Sequence, residues 1–383
     1  MRYAFDIGEY HARLAQVRAA MARANLDCLF ITDPSNMGWL TGYDGWSFYV
    51  HQGVIVTHDA DPIWWGRLQD VAGAVRTTWM GEGGSVGYGE HYIQTSAHHP
   101  MEDLAARVSG CVGVEMDNYY FSAKAYAVLE NAGLILIDAT SLVNWCRAVK
   151  SDAEIAFMRK AARISEAVID GMAERIEPGV RKNEVVAAAY SDAIRGVGGD
   201  WGDYPAIVPL VPSGADAAAP HLTWNGDPFR RGEATTLEIA GCYRRYHTPL
   251  CRSVFLGQPP DEMKRAEAAV IEGVEAGIDA ARAGNQARDV AAALNRALRV
   301  VGIERTARCG YPIGLSYPPD WGERTISFRA EDDTVLTPNM TFHFMPGLWM
   351  EEWGLAITES IRITEDGPAE CFCNRPRELI TKR

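Results

Sequence analysis

Residues 235–257 read TTLEIAGCYRRYHTPLCRSVFLG, and this stretch decides the fold of the larger part of the chain. It is enriched in β-branched residues and punctuated by Gly and polar pairs, a pattern that favours antiparallel strands. Similar segments follow one another without an intervening helix. They are AIVPLVPSG (206–214), MTFHFMPGLWM (340–350) and LAITESIRITED (355–366).

Long helical patterns accompany these strands at 151–175, 181–196, 261–282 and 286–301. The first of them begins with Ser151, which is followed three residues later by Glu154, as in a capping box. Strands and helices together predict an α+β domain with a curved antiparallel sheet over residues 150–383.

Residues 1–149 follow a different pattern, because helical and strand-like segments alternate along them. The helical pattern at 9–25 runs into an apolar, β-like stretch at 28–32. The later segments are strand-like at 53–57, 62–66, 112–117 and 134–140, and helical at 97–109 and 122–133. This alternation predicts a separate α/β domain that ends near residue 149.

Composition limits the classes of function. The 383 residues are 47% hydrophobic and 23% charged, as expected for a globular protein with a sizeable core. Fifty acidic and 37 basic side chains give a formal charge of −13, which disfavours nucleic acid and anionic membranes as partners. The eight cysteines have no zinc-finger spacing, and no signal-peptide pattern or long apolar run occurs. We therefore expect a soluble, cytoplasmic protein with reduced thiols.

The order of segments in 151–365 resembles the pita-bread fold of methionine aminopeptidases, Xaa-Pro peptidases and creatinase. The N-terminal part is similar to that of prolidases and creatinase. In the peptidases, two Asp, one His and two Glu on the sheet bind metal. Matching the segments places these five positions at Glu238, Pro249, Tyr311, Met345 and Glu359. Because Pro, Met and Tyr supply almost no hard donors, we expect no metal and no other cofactor.

Longer runs resemble a third group, the ectoine hydrolases, which open the cyclic amidine of ectoine to N-acetyl-2,4-diaminobutyrate. These runs include DPSNMGWLTGYDGWSFYVHQ (33–52), GDYPAIVPLVPSGADA (202–217) and GYPIGLSYPPDWGER (310–324). Runs of this length that contain Trp and Tyr are far more specific than a short glycine motif. The resemblance implies a metal-independent hydrolase for ectoine, with its hydroxylated analogue left open as a second substrate.

Ectoine carries an amidinium cation and a carboxylate, so its site needs anions on one side. The resemblance places Glu238 and Glu359 on neighbouring strands, and we expect both carboxylates in one pocket. They would hold the amidinium, and Glu238 would attack the amidine carbon or deprotonate an attacking water. The alternative is that each Glu forms an ion pair with a nearby Arg, such as Arg252 or Arg362.

His221 and His343 are the expected proton carriers, because imidazole ordinarily titrates near neutral pH. His221 resembles the catalytic His of creatinase, whereas for His343, taken alone, a hydrogen-bonded core histidine is the favoured interpretation. His247 is a weaker candidate. Tyr311 either donates a hydrogen bond to the substrate or fills the volume of the absent His.

The substrate carboxylate needs a cationic partner, and Arg offers a planar fork for it. Arg324 lies near the segment where creatinase carries its carboxylate-binding Arg, and Arg244 and Arg245 compete with it. A solvated surface Arg is the alternative for each of them.

The run YDGWSFY contains Trp46, Phe48 and Tyr49. In creatinase the equivalent loop reaches the partner subunit's active site, although the accompanying Arg is Val50 here. The resemblance implies a homodimer in which these rings cover the partner's site, with cation–π attraction of about 1–2 kcal/mol for the amidinium. The alternative is a buried core of the first domain. Association with a separate deacetylase is also left open.

Three other functions compete with ectoine hydrolysis. A metal-dependent Xaa-Pro dipeptidase would need unusual ligands at the substituted positions. A binding protein for a compatible solute would make little use of the retained carboxylates and His221. Creatinase-like activity is disfavoured because the two functional Glu positions of creatinase are Cys251 and Met345 here.

Overall fold

The computed structural model describes residues 3–383. The chain folds into two compact units, of which the first ends at Arg147 and the second spans Ala148–Arg383. Each unit has its own sheet and helices. Within the described range, no helix is both long and apolar enough to cross a membrane.

The first unit is an α/β domain built on a mixed sheet with the strand order β4-β3-β2-β1-β5-β6. The strands β1–β6 are Cys28–Ile31, Gly53–Thr57, Ile63–Arg67, Ser85–Tyr88, Cys111–Val114 and Ile135–Asp138. The helices α1–α6 are Ile7–Arg23, Pro34–Thr41, Val71–Thr77, Pro100–Ala105, Ala123–Asn131 and Leu142–Cys146. Trp64 and Trp65 on β3 are fully buried, so both rings belong to the core of this unit.

The second unit contains four long helices among the described residues, and they confirm the predicted helical segments. The helices α7–α10 are Asp152–Arg175, Lys182–Arg195, Asp261–Ala280 and Ala287–Val300. The predicted capping box is also present, because the Ser151 hydroxyl accepts from the Glu154 N–H and the Glu154 carboxylate accepts from the Ser151 N–H. Local polar chemistry thus fixes the start of α7.

Strands of the second unit form the pita-bread sheets, which are antiparallel apart from the parallel pairing of β15 with β8. The three-stranded sheet has the order β15-β8-β7, the four-stranded sheet β14-β13-β10-β9, and β11 pairs with β12. The strands β7–β15 are Ala234–Tyr243, Tyr246–Leu256, Gly310–Pro312, Thr341–Phe344, Leu348–Trp349, Gly354–Leu355, Glu359–Arg362, Glu370–Cys371 and Ile380–Lys382.

The strands predicted at 235–257 are the hairpin β7–β8, in which Tyr243 pairs with Tyr246. Its two-residue turn consists of Arg244 and Arg245, with φ of +48° and +67°. Positive φ at both turn positions matches the twist of a hairpin, but Asn and Gly usually supply it. Two arginines therefore hold a left-handed conformation that is uncommon for residues with a Cβ.

The segment 206–214 was predicted as a strand, but it forms only isolated bridges to β7. Leu210 pairs with Glu238, and Ser213 pairs with Thr235. Pro209 and Pro212 interrupt the segment, and proline has no N–H to donate to a ladder. The prediction of a continuous strand here was therefore wrong.

The two faces of the main sheets have different environments. Leu237 of β7 packs with apolar residues of α7, and Phe344 of β10 packs against Gly277 of α9. Successive side chains of a strand point to opposite faces. Glu238, the neighbour of Leu237, therefore lies on the face directed away from the helices.

Candidate active site

Glu238 lies in the middle of β7, directly opposite Cys251 of β8. Every other residue of β7 is buried, whereas Glu238 retains partial exposure, so solvent reaches the strand at this position. No hydrogen bond or ion pair to the Glu238 carboxylate occurs within residues 3–383. Its surroundings raise the pKa of Glu238 to about 7 through loss of hydration. The carboxyl group is therefore poised to exchange a proton near neutral pH.

Tyr311 on β9 places a phenol near that carboxylate. Burial raises the pKa of Tyr311 well above its usual value, and the negative charge of Glu238 raises it further. The indole N–H of Trp321 donates to the Tyr311 hydroxyl at 2.9 Å. Tyr311 is thus a neutral hydrogen-bond donor at physiological pH.

His343 on β10 is fully buried between two hydroxyl groups. Its Nδ1 lies 2.9 Å from the Tyr311 hydroxyl, and its Nε2 lies 2.8 Å from the hydroxyl of Thr358. Burial lowers the pKa of His343 to about 3. Its ring is therefore neutral near pH 7 and hydrogen-bonded on both sides, as in a core histidine, and the role of His343 in proton transfer stays a prediction.

Cys251 completes this face of the sheet. Its backbone N–H donates to the Thr358 hydroxyl at 2.8 Å. Burial, and then the charge of Glu238, raises the pKa of the Cys251 thiol well above its usual value. The thiol is therefore protonated, and it places an uncharged side chain beside the carboxylate.

Glu359 lies on the opposite face of the sheet, so the expected pair of carboxylates in one pocket is not formed. Its Oε1 accepts from the guanidinium of Arg252 at 2.8 Å and from Arg377 at 3.2 Å. Arg252 is opposite Leu237 in the β7–β8 register and thus shares the helix-packed face. Thr358, one residue earlier, occupies the Glu238 face instead.

The ionisation of Glu359 is set by this buried network. Burial raises the pKa of Glu359, while Arg252 and Arg377 act in the opposite direction. Its Oε2 is buried and has no hydrogen-bond partner in the described part of the chain. The predicted alternative, an ion pair with Arg252, is therefore the observed arrangement, whereas Arg362 bonds Asn339 and Glu370.

The remaining histidine candidates have different environments. His221 is exposed, and its ring forms no hydrogen bond or ion pair in the range 3–383. His247 is fully buried; its Nε2 accepts from the Ala206 N–H at 2.9 Å, so its Nδ1 donates to the Arg245 carbonyl at 2.9 Å. Burial lowers the pKa of His247 to about 3. His247 is thus a core histidine, and the role of His221 stays a prediction.

The predicted arginine candidates lie away from Glu238 or are engaged elsewhere. Arg245 stacks on Tyr204, 3.6 Å from the ring centre, and lies 3.7 Å from Asp203. The hairpin turn that carries it is roughly 17 Å along β7 from Glu238 at the usual rise per residue. Arg324 is exposed and has a φ of +56°. Arg245 is thus engaged with Asp203, and the role of Arg324 in binding the substrate carboxylate stays a prediction.

Arg308 is a candidate that sequence reasoning missed. Its guanidinium carbon lies 4.7 Å from the centre of the Tyr311 ring, and its charge lowers the pKa of Tyr311. The Arg308 side chain is exposed and forms no ion pair in the structure as described for residues 3–383. Its place three residues before Tyr311, directly ahead of the GYPIG motif, is the signal that was available in the sequence.

The aromatic run of the first unit is largely exposed. Trp46 and Tyr49 are 56% and 66% exposed, whereas Phe48 is half-buried between Trp46 and Tyr120, at 4.8 and 5.9 Å. Trp46 and Tyr49 are therefore not part of a buried core of the first unit. The proposed cover over a partner's active site stays a prediction.

The residues at the five expected metal positions do not fit a dinuclear site. Pro249 and Met345 offer no hard donor, Glu359 lies on the opposite face, and the Tyr311 hydroxyl already binds Trp321 and His343. Residues 3–383 contain no group of three or more His, Cys, Asp or Glu side chains able to hold a metal ion. Glu238 alone does not make such a site.

Two family descriptions match the sequence. "Metallopeptidase family M24" matches residues 156–365, and "Creatinase/Prolidase N-terminal domain" matches residues 13–149. An ectoine hydrolase from Halomonas elongata is 54% identical, with 99% of this chain and 98% of that protein covered. An uncharacterized hydrolase/peptidase from Sinorhizobium fredii is 37% identical, with the same shares covered.

Solved structures share the fold. An Xaa-Pro dipeptidase from Bacillus anthracis has a TM-score of 0.81 at 22% identity, and 97% of this chain and 99% of that chain are covered. A prolidase from Thermococcus sibiricus has a TM-score of 0.83 at 18% identity with the same coverage. At these identities the likeness concerns the fold alone.

Proposed function

The chain belongs to metallopeptidase family M24 and is a hydrolase, and from this premise we propose that it opens the cyclic amidine of ectoine without a metal ion. The proposed product is N-acetyl-2,4-diaminobutyrate. The observation that carries the proposal is Glu238, an ionisable carboxylate on the accessible face of the sheet, for which residues 3–383 supply no ion-pair partner. The choice of substrate is supported by the ectoine hydrolase that is 54% identical to this chain.

The substrate supplies the charge that Glu238 lacks. An amidinium presents N–H donors and a delocalised positive charge, and a carboxylate binds both by charge-assisted hydrogen bonds. Binding of this cation favours the ionised form of Glu238 and lowers its pKa from the value of about 7. A cyclic amidinium is therefore a better match for this site than the neutral amide bond of a peptide.

Glu238 then acts as the proton shuttle. Its carboxylate takes a proton from water while the water oxygen bonds to the amidine carbon. The same proton passes to a ring nitrogen of the tetrahedral intermediate. As that carbon–nitrogen bond breaks, the proton of the added hydroxyl passes through Glu238 to the departing amine, which leaves a neutral acetamide and an ammonium group. Before the substrate binds, the pKa of Glu238 is about 7, so its acid and base forms are both accessible near neutral pH.

Tyr311 and Arg308 assist at the two ends of the substrate. The neutral phenol of Tyr311 donates a hydrogen bond to the added oxygen, on which negative charge develops as its hydroxyl proton leaves during cleavage of the carbon–nitrogen bond. Arg308, which lies against the Tyr311 ring, is the cation placed to bind the substrate carboxylate through its planar fork. This assignment replaces Arg324 and Arg245 as the first candidate.

Metal independence is the second part of the proposal. It is supported by the donor set, since only Glu238 of the five expected positions presents a free hard ligand on the accessible face. No step above requires a Lewis acid. Proton transfer and hydrogen bonding from this chain's own residues account for every bond made and broken.

The test uses purified protein that has been treated with a chelator and dialysed. With ectoine it should form a product one water heavier, detected by mass spectrometry, at a rate unchanged by chelator. Glu238→Gln should lower kcat by at least about a thousandfold, whereas the matched control Glu233→Gln, near the start of the same strand, should retain the rate.

Two results would overturn the proposal. One is the absence of product together with cleavage of an Xaa-Pro dipeptide after manganese or cobalt is added, which would identify a metal-dependent dipeptidase. The other is hydrolysis of creatine in preference to ectoine. Parallel assays with 5-hydroxyectoine establish whether the hydroxylated ring is also a substrate.

We further propose the homodimer that the resemblance implies, with Trp46, Phe48 and Tyr49 covering the partner's site. The exposure of Trp46 and Tyr49 in the isolated chain supports an interface role for this loop. Light scattering after size-exclusion chromatography should give twice the chain mass of 42.1 kDa. A monomer that turns over ectoine normally would contradict this assembly.

A further inference from the structure

A line of buried hydrogen bonds runs from the Tyr311 hydroxyl into the sheet. Trp321 donates to Tyr311 at 2.9 Å, and Tyr311 lies 2.9 Å from Nδ1 of His343. Nε2 of His343 lies 2.8 Å from the Thr358 hydroxyl, which also accepts from the Cys251 N–H at 2.8 Å. These distances are those of good hydrogen bonds, so each proton along the line needs a defined place.

The donors at the two ends of the line are fixed. The indole N–H of Trp321 and the backbone N–H of Cys251 only donate, so the oxygens of Tyr311 and Thr358 each accept one bond. Each hydroxyl has one further proton to place. His343 is neutral because burial lowers its pKa to about 3, and it carries one N–H. Two arrangements of these protons are possible.

In the first arrangement, Nε2 of His343 carries the proton and donates to Thr358, while Tyr311 donates to Nδ1. The Thr358 proton then has no acceptor, because this hydroxyl has only two partners among residues 3–383. Thr358 is fully buried. A buried donor without an acceptor costs about 1–3 kcal/mol, which disfavours this arrangement.

In the second arrangement, Nδ1 of His343 carries the proton and donates to Tyr311, while Thr358 donates to Nε2. Thr358 now uses both its acceptor and its donor. The remaining proton is that of Tyr311, which is 8% exposed on the sheet face of Glu238, where solvent or a bound substrate can accept it, whereas Thr358 is fully buried. No donor of the fully buried Thr358 is then left without an acceptor.

We propose that Thr358 is a positioning residue, which holds His343 as the Nδ1–H tautomer and thereby directs the Tyr311 proton toward the reacting amidine carbon. This inference rests on the proposed function, because the acceptor is the oxygen that adds to that carbon. No proton travels along the line. The hydrogen bonds only orient the Tyr311 donor, and Glu238 performs the proton transfers.

The tautomer is measured directly on the unmodified protein. Nitrogen-15 labelling of histidine and long-range ¹H–¹⁵N correlation spectra distinguish Nδ1–H, Nε2–H and doubly protonated rings, and a His343→Gln sample identifies the His343 signals. We expect a neutral Nδ1–H ring from pH 6 to pH 9. An Nε2–H ring or an imidazolium in this range would overturn the inference.

Substitutions test the consequence for turnover. Thr358→Val keeps the side-chain shape and removes the hydroxyl, and should lower kcat roughly 10- to 100-fold with little change in KM, as for a misdirected transition-state donor. Thr358→Ser retains the hydroxyl and should recover most of the loss. Thr248→Val is the matched control, since the fully buried Thr248 hydroxyl donates to the Met158 carbonyl at 2.8 Å on the helix-packed side.

The outcomes separate this inference from the proposed function. Equal losses of kcat in the Thr358→Val and Thr248→Val proteins would indicate a general structural effect and would reject the positioning role. If Thr358→Val does not fold, the tautomer spectrum of the parent protein still decides. A parent that hydrolyses ectoine with His343 as the Nε2–H tautomer would refute the inference and leave the proposed function intact.

Discussion

The carboxylates of Glu238 and Glu359 lie on opposite faces of the same layer of strands. Glu238 faces the accessible side beside Tyr311, whereas Glu359 faces the helices and binds Arg252 and Arg377. Of the two carboxylates, Glu359 is therefore paired with arginines, whereas Glu238 has no ion-pair partner among residues 3–383. The two residues should respond in opposite ways to the same substitution.

Replacing Glu359 by Gln should destabilise the fold and spare the chemistry. The change leaves the buried guanidinium of Arg252 without its counter-charge, and breaking a buried pair from one side typically costs about 3–5 kcal/mol. We expect a lower midpoint in urea unfolding and a kcat within about threefold of the parent, per folded molecule, at 15 °C. A large fall in kcat with unchanged stability would place Glu359 in the reaction.

Replacing Glu238 by Gln should instead stabilise the protein at alkaline pH. The pKa of Glu238 is raised from 4.5 to about 7 on folding, so the folded state holds a proton that the unfolded state loses between these values. The contribution of Glu238 to stability therefore falls as pH rises from about 4.5 to 7, by roughly 1–3 kcal/mol.

This effect is measured as the difference in unfolding free energy between the Glu238→Gln protein and the parent. The difference should be small at pH 4.5 and should favour the variant at pH 8. A difference that does not change between these values would show that the Glu238 carboxyl group titrates normally.

The rate should also depend on the ionisation of Glu238. Because the free enzyme needs the carboxylate, kcat/KM should fall below about pH 7 with the slope of a single ionisation. His343 and His247 titrate near pH 3 and add no second step in this range. A profile measured from pH 5 to pH 9 that is flat or has two acidic steps would contradict the assignment.

Arg308→Ala should weaken substrate binding. Loss of a charge-assisted bond to the substrate carboxylate, worth about 1.5–3 kcal/mol, should raise KM roughly tenfold or more with a small effect on kcat. Arg308→Lys should recover part of this, because an ammonium keeps the charge and loses the fork.

Arg329→Ala is the matched control for Arg308, since Arg329 is likewise exposed and bonds Ser327 at 3.3 Å. The carboxamide analogue of ectoine adds a second check, because it lacks the negative charge. If Arg308→Ala raises KM equally for ectoine and for the carboxamide, Arg308 does not bind the carboxylate.

Much of the fold followed from local sequence. The capping box of Ser151 and Glu154 and the hairpin at 235–257 involve neighbouring residues, so the pattern contained the necessary information. The prolines at 209 and 212 were also visible, yet their effect on strand pairing depends on which N–H groups face β7. The sequence pattern contained no such register.

The candidate site shows the same limit more sharply. Glu359 was expected beside Glu238, but its neighbour Thr358 lies on that face instead, and a shift of one residue moves a side chain to the other face of a sheet. Trp321, ten residues after Tyr311, approaches it only through the folding of a loop. Proximity of this kind has no signature in residue spacing.

The unmatched charge of Glu238 links occupancy to folding. A dehydrated carboxylate that has no cationic partner lowers the free energy of unfolding of the unliganded protein. A cation that binds beside it raises that free energy again. Any ligand that prefers the native state stabilises it in proportion to its occupancy. For as long as it remains bound, the substrate of this enzyme is therefore also a folding ligand.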